Sequence, residues 1–387
     1  METYFPVFPE EEYAARLQKM RAKMEEEGLD ACLVSNPENI YYFTGLNHWG
    51  YFAYHTLIVH RERKACLIAR RMETVTIQNQ LASSVEFRGY KDSENAPGFT
   101  CNILKEMGLE KSRIGMDMDT LYRSYNDTRE LKTGLPEVEW QDMDYFVRSL
   151  RFIKSPLEVD AMRQAGVISE RMTEAAIHAT AAGVNEQAVA AEVYKEMILA
   201  GGEPPSFGPF LRPTRRLGEE HTTWARDFLV PGDMLFVEVA GSYHRYHAPM
   251  GRLLFVSKAE PGVEKAQAVT LEAFNAVTEK MKPGVIAHDV YRTWQDVVDK
   301  AGYDDYKRHH CGYMVGISFP PSWMEGTNRF VSLREGSELV LETGMTFHVM
   351  SWMMGSRAGN YFVSNTVAVT EKGSEVLTTT SQNLHIV

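Results

Sequence analysis

The chain has 387 residues, 44% of them hydrophobic and 24% charged, which is the make-up of an ordinary soluble globular protein too long for one core. Its 52 acidic residues outnumber 41 basic ones for a net charge of −11, and there is no Lys/Arg-rich tract, so nucleic acid and anionic membrane are excluded as natural partners. The opening METYFPVFPEEEYAARL lacks a basic segment followed by an apolar one, no stretch reaches the roughly 18 apolar residues of a membrane span, and Cys32, Cys66, Cys101 and Cys311 keep no CxxC spacing; a cytoplasmic protein with small core thiols is expected.

Helical spacing runs from Glu10 to about Gly28, and DACLVSNPENIYYFTGL then predicts a strand, an Asn-Pro turn and an aromatic segment. LIVHRERKACLIA predicts two strands joined by a charged hairpin, and RIGMDMD another short strand. Alternating strands and helices up to about Phe146 predict a small α/β domain over residues 1–150. In RSLRFIKSPLEVDAMRQAG, Ser155 can cap a helix, Pro156 suits its first position and Glu158 completes a capping box. That helix is predicted to end at Gly183, and a second runs from about Asn185 to Ala200. The stretch VEVAGSYHRYHAPMGR, residues 237–252, predicts a β-hairpin carrying Glu238, His244, His247 and Arg252. A lone carboxylate in the apolar run MLFVEVAG is costly to bury unless something answers it. Two more helices follow, GVEKAQAVTLEAFNAVTEKM and AHDVYRTWQDVVDKAG, and the last fifty residues return to strands in SELVLETGMTFHVMSWMM and YFVSNTVAVTEKGSEVLT.

This order resembles the creatinase and prolidase superfamily over nearly the whole chain. SNPENIYYFTG is similar to its N-terminal signature, RFIKSPLEVDAMRQAG to its domain junction, MKPGV to its mid-domain turn, and GMTFHV with VTEKGSEVLT to its closing strands. The resemblance implies an α/β N-terminal domain plus an α+β pita-bread C-terminal domain over residues 151–387.

Most members of that superfamily are hydrolases with two metal ions held by five ligands. Aligned through shared neighbours, the five positions fall on Glu238, Pro249, Val315, Met350 and Ser364. Pro, Val and Met offer no donor that a hard cation wants, so no metal and no other cofactor is expected. The superfamily also has metal-free members that open guanidino compounds or cyclic amidines, and RYHAPMGR, GYMVGISFPPSW and GMTFH look like the cyclic-amidine branch, ectoine hydrolase.

The resemblance implies a catalytic cavity around Glu238, as nucleophile or water-activating base, with His221 in EEHTTW as a proton shuttle. The alternative for Glu238 is a structural ion pair with Arg252 across the hairpin. His247 and His348 complete the expected catalytic set; of His244 and His247 only one can face the cavity, unless Pro249 supplies a bulge. Tyr246, Tyr313 and Glu325 are candidates to bind or orient the substrate, Trp49, Tyr51 and Trp323 to cover its cation, and Arg212, in a run with Arg215 and Arg216, to hold its carboxylate. The expected activity is hydrolysis of a C–N bond in a small zwitterionic amidine or amide, with ectoine ring opening to an N-acetyl-diaminobutyrate at its centre; the alternatives are a creatinase-like amidinohydrolase, an Xaa-Pro dipeptidase-like protein and a non-catalytic peptide-binding relative. The resemblance also implies a homodimer in which a loop of the N-terminal domain closes over the partner's site; LNHWGYFAYH is that segment here, and Trp49, Tyr51, Phe52 and Tyr54 predict an exposed aromatic patch that approaches the site near Trp323.

Overall fold

A computed structural model describes residues 7–325 and 330–387, and every element and count below refers to them. The chain divides after Arg151 into two compact units. No helix among the described residues is long and apolar enough to cross a membrane.

The first unit comprises α1 (Glu10–Glu26), β1 (Ala31–Val34), α2 (Pro37–Thr44), β2 (Thr56–His60), β3 (Ala65–Arg70), α3 (Thr74–Gln80), β4 (Val85–Tyr90), α4 (Ala96–Glu106), β5 (Arg113–Met116), α5 (Tyr125–Gly134), β6 (Glu139–Asp142) and α6 (Asp144–Ser149). Its six strands lie in the order β4-β3-β2-β1-β5-β6, with β2 antiparallel to both neighbours and the other pairs parallel. Leu33, Ile58, Ile68, Leu104 and Ile114 share one core on this sheet. The expected aromatic segment after Asn36 is helical, because Pro37 fits the first turn and Gly45, at φ 75°, accepts the left-handed stop.

The second unit begins with α7 (Pro156–Ala179), whose capping box between Ser155 and Glu158 is formed as expected; it stops four residues before Gly183. Then come α8 (Glu186–Leu199), β7 (Phe210–Pro213), β8 (Met234–Tyr243), β9 (Tyr246–Phe255), α9 (Val263–Lys280), α10 (Ala287–Lys300), β10 (Gly312–Met314), β11 (Thr346–Trp352), β12 (Phe362–Thr370), β13 (Gly373–Val376) and β14 (His385–Ile386). SELVLETG is irregular, and the strand starts only at Thr346. The sheet order is β10-β11-β12-β9-β8-β7, with β13 beside β12 and β14 beside β9.

Alternation along these strands divides the sheet into two faces. Leu211, Leu235, Val237, Val239, Met250 and Leu254 form a core with Ile168, Met172 and Val193 of α7 and α8. The helix sits close enough that a Cβ on Gly241 would come within 2.4 Å of the Ala165 carbonyl oxygen, so glycine is required there. The β8–β9 hairpin closes through His244 and Arg245 at φ 51° and 63°, the positive values that a two-residue hairpin turn demands. Ala240 pairs with Pro249 in unbroken register, so the bulge considered at the proline is absent.

Candidate active site

The face away from α7 and α8 carries the polar groups. Phe210, Glu238, Gly251, Ser364 and Met350 form one cross-strand row from β7 through β8, β9 and β12 to β11. Pairing puts directly opposed residues on the same face, and residues two apart join them. Arg212 and Phe236, His348 and Tyr313, and Trp352 and Phe362 therefore share this face. Gly251 makes room in the middle of the row, where a Cβ would lie 2.5 Å from the Phe362 ring and 3.0 Å from Ser364 Oγ.

Glu238 is 8% exposed, and its only polar side-chain contact among the described residues is with His348, 3.8 Å from Oε1 to Nε2. Burial raises its pKa to about 8 against the opposing pull of the Arg212 guanidinium, with Glu220 adding to the rise. Burial lowers His348 to about 3. Both are neutral at pH 7, so the 3.8 Å approach is not an ion pair there. Arg252, the partner considered for Glu238, is opposite Val237 and on the other face; it donates to the carbonyls of Gly251, Ser364, Thr380 and Ser381 and to Asn365 Oδ1. No Glu238–Arg252 pair exists.

Next to the carboxyl, Trp323 Nε1 donates to Tyr313 Oη at 2.8 Å, Tyr313 Oη meets His348 Nδ1 at 2.9 Å, and His348 Nε2 meets Ser364 Oγ at 2.7 Å. Trp323 is fully buried, edge-on to Phe207 at 4.9 Å and Phe210 at 5.3 Å, so it is a wall of the site and not a surface that a loop of another copy could touch. Farther along the same face Phe236 stacks on Phe362 (4.9 Å), Phe362 is edge-on to Trp352 (4.6 Å), Arg212 covers Phe236 (4.3 Å) and Arg308 covers Trp352 (4.6 Å). The sequence reading missed Ser364, Phe236, Phe362, Trp352 and Arg308. Period-two alternation from Glu238 and Ser364 was the signal that could have found Phe236 and Phe362.

Other expected site residues stand apart. His247 lies on the Glu238 face four residues from Gly251, and Nε2 accepts from Ser206 N–H (3.0 Å) and meets Ser206 Oγ (3.2 Å), while Nδ1 meets the Arg245 carbonyl at 2.9 Å. A backbone donor at Nε2 fixes the proton on Nδ1, and burial lowers the ring to about 3, so both nitrogens are engaged in structure and not in proton transfer. Tyr246 points to the other face and donates to Glu158 Oε1 at 2.8 Å. His244 sits in the hairpin turn against Tyr243. Glu325 is buried in an ion pair with Lys154 at 2.6 Å, which engages the carboxylate expected to orient a substrate. His221, at φ 54°, is exposed over Phe210, with 6.3 Å between ring centroids. Arg215 and Arg216 pair with Asp227, Asp233 and Glu186, leaving Arg212 as the member of that run that is buried beside Glu238. Arg212 donates to the Glu219 carbonyl and lies 3.5 Å from Glu220, but its buried Nε has no hydrogen-bond partner among the described residues. In the first unit Trp49 is 53% and Phe52 76% exposed, whereas Tyr51 is buried against Tyr122 and Tyr54 bonds to Thr100, which reduces the expected four-ring patch to two.

The positions that resemblance assigns to metal ligands do not fit a two-ion centre. Glu238 is the single carboxylate among them, Met350 and Ser364 face each other across β11 and β12, and the described residues hold no group of three or more His, Cys, Asp or Glu placed around a common ion site.

Residues 160–371 match the family described as Metallopeptidase family M24, and residues 16–153 match the Creatinase/Prolidase N-terminal domain. The chain is 30% identical to the ectoine hydrolase of Halomonas elongata, over 96% of each chain. It is 24% identical to an Xaa-Pro dipeptidase of Pyrococcus furiosus, covering 95% of this chain and 99% of the other. The solved structure of an Xaa-Pro dipeptidase from Bacillus anthracis superposes with a TM-score of 0.84 at 21% identity, over 97% of this chain and 100% of that one. With both domains matched and a mixed-sheet unit preceding an α+β unit of this topology, the chain belongs to the creatinase/prolidase superfamily of pita-bread hydrolases.

Proposed function

We propose that the protein hydrolyses a C–N bond in a small zwitterionic amidine, with ectoine ring opening as the central case, and that the chain's own side chains carry the reaction. The observation that carries this is Glu238, a buried carboxyl with a pKa of about 8 and no hydrogen bond among the described residues, on a row whose other ligand positions are Ser364 and Met350. A carboxyl kept neutral by burial gives up its proton when a cation settles beside it, because the ion pair offsets the cost of desolvation. An amidinium supplies that cation, and the resulting carboxylate is the base that the chemistry needs. Arg212, with its unpartnered buried Nε, suits the carboxylate of a zwitterion, and the Phe236, Phe362 and Trp352 rings suit its apolar body.

In the proposed reaction a water oxygen bonds to the amidine carbon while one of its protons passes to Glu238. Glu238 returns that proton to a ring nitrogen, the C–N bond breaks with its electron pair left on nitrogen, and the oxygen becomes the amide carbonyl. The proton it sheds leaves with the amine as an ammonium. No step is assigned to His247. Similarity to the Halomonas elongata ectoine hydrolase supports the substrate class.

Purified protein offered ectoine, creatine and Xaa-Pro dipeptides is expected to turn over ectoine, with release of a free amine, and to keep that activity after exhaustive chelation. Turnover of Xaa-Pro dipeptides that chelation removes would overturn the proposal.

A further inference from the structure

The four hydrogen-bonding groups beside Glu238 have a direction. Indole N–H can only donate, so Tyr313 Oη accepts from Trp323. The phenol then has one proton of its own to place, and its other partner among the described residues is His348 Nδ1 at 2.9 Å. Burial raises the Tyr313 pKa well above its usual value, so that proton stays on the phenol side as a donor. An Nδ1 that accepts leaves the imidazole proton on Nε2, and neutral His348 donates from there to Ser364 Oγ at 2.7 Å. Ser364 Oγ accepts this bond, and its own proton has no acceptor among the described residues although the residue is fully buried.

We propose that Trp323, Tyr313, His348 and Ser364 form a one-way donor line whose end, the Ser364 hydroxyl with His348 Nε2–H behind it, holds the reacting oxygen beside Glu238. Ser364 Oγ and Glu238 Oε1 both lie within 3.8 Å of His348 Nε2. With no side chain at Gly251, the Phe362 ring and Ser364 Oγ close in on that position, 2.5 Å and 3.0 Å from where a Cβ would lie, so a larger residue there would displace Ser364. A carboxyl with no hydrogen bond and a hydroxyl with an unplaced proton therefore flank one imidazole nitrogen, and a water oxygen between them answers both: it gives a proton to Glu238 and accepts one hydrogen bond from Ser364. When that oxygen has bonded to carbon and turns into a carbonyl, the same donor stabilises the charge that develops on it, as aligned donors do in a water-poor site. Ser364 is then a catalytic donor, and Tyr313 and Trp323 are positioning residues that hold His348 in the Nε2–H form. The chemistry rests on the proposed amidine hydrolysis; the direction of the line does not.

Two measurements test it separately. Imidazole nitrogen NMR of the whole protein, with His348 assigned by comparison with His348→Asn, is expected to show the Nε2–H tautomer, and Tyr313→Phe is expected to shift it toward a mixture. Wild-type protein carrying the proton on Nδ1 would overturn the line. With ectoine as substrate, Ser364→Ala is expected to lower kcat by about 100-fold with little change in KM, and Ser364→Thr, which keeps the hydroxyl, to recover most of it. A Ser364→Ala protein with wild-type kcat would overturn the catalytic role. Failure of wild-type protein to act on ectoine removes the proposed function and leaves the tautomer result to decide the line.

Discussion

Two histidines, His247 on β9 and His348 on β11, are buried on the same face of one sheet, and their sites differ in whether the surrounding groups close on themselves. On β9, His247 has a backbone N–H at one nitrogen and a carbonyl at the other, so every donor and acceptor is matched within the protein. On β11, His348 hands its proton to a hydroxyl whose own proton has no acceptor among the described residues, beside a carboxyl with no hydrogen bond there. Burial lowers both rings to about 3, so the pKa alone does not distinguish them. A structural histidine is one whose bonds are complete without a ligand; unmatched groups facing one small space mark a site that a ligand completes.

The largest effect that can break this comparison is at Glu238. Glu238→Gln is expected to remove turnover, since an amide neither takes nor returns a proton, and retention of more than about a tenth of wild-type kcat would make Glu238 merely supportive. The same variant has a stability signature. Glu238 is raised from 4.5 to about 8, so the native state keeps a proton that the unfolded chain has lost; this contribution is intact below pH 4.5 and disappears as pH rises to about 8. Glutamine is free of that penalty, so the variant should melt higher than wild type at pH 8.5, by at most about 5 kcal/mol, with the gain vanishing near pH 4.5. An unchanged melting difference across that range would mean the carboxyl is not held neutral.

The histidines come next. His348→Asn should cut kcat by about 100-fold or more and, because it also strips Tyr313 and Ser364 of a buried partner, should cost stability as well. His247→Ala should cost stability alone, about 2–4 kcal/mol for a buried backbone N–H and carbonyl left unmatched, with little change in kcat. Because both rings are held neutral at about 3 against an ordinary 6.5, their contribution to stability is full above pH 6.5 and falls as the pH drops toward 3. If His247→Ala lost activity and kept its stability, the assignment of the two histidines would be exchanged.

The rate itself should follow Glu238. Free enzyme must ionise it before it can act as a base, so kcat/KM is expected to rise about tenfold per pH unit below about 8 and level off above, while kcat, measured with the cation bound, turns at lower pH. Coincident profiles would show that substrate does not draw the proton off.

The same contrast explains what the sequence made legible. The capping box at Ser155, the hairpin around Glu238 and the absence of metal ligands at Pro249, Val315 and Met350 depend on residue type and short spacing, and these could be read along the chain. His247 and His348 could not be separated that way, because what distinguishes them arrives from Ser206 and from Tyr313, 41 and 35 residues distant. The pairing of Glu325 was illegible for the same reason, its partner Lys154 being 171 residues away. Ser364 was set aside because it was weighed only as a metal ligand; its cross-strand place beside Gly251 depends on a register that one strand alone does not specify.

The smallest expected effect lies in the first unit. The Trp49–Tyr54 segment was expected to present four rings, but Tyr51 packs on Tyr122 and Tyr54 bonds to Thr100, which leaves Trp49 and Phe52 as its exposed pair. Two large exposed rings three residues apart are a modest patch, enough to contribute to an interface and too little to form one unaided. If the protein is the homodimer expected from its sequence, with this loop near a partner's site, Trp49→Ala should raise KM by about threefold to tenfold, roughly 1 kcal/mol, and leave kcat unchanged, since the residue would cover bound substrate without touching the reacting atoms. Trp323 cannot be the surface it meets, being buried between Phe207 and Phe210. Sedimentation of active enzyme decides the matter first: a monomer that turns over substrate at full rate leaves the exposed rings with no site to cover, and a dimer whose KM is indifferent to Trp49 puts the interface elsewhere.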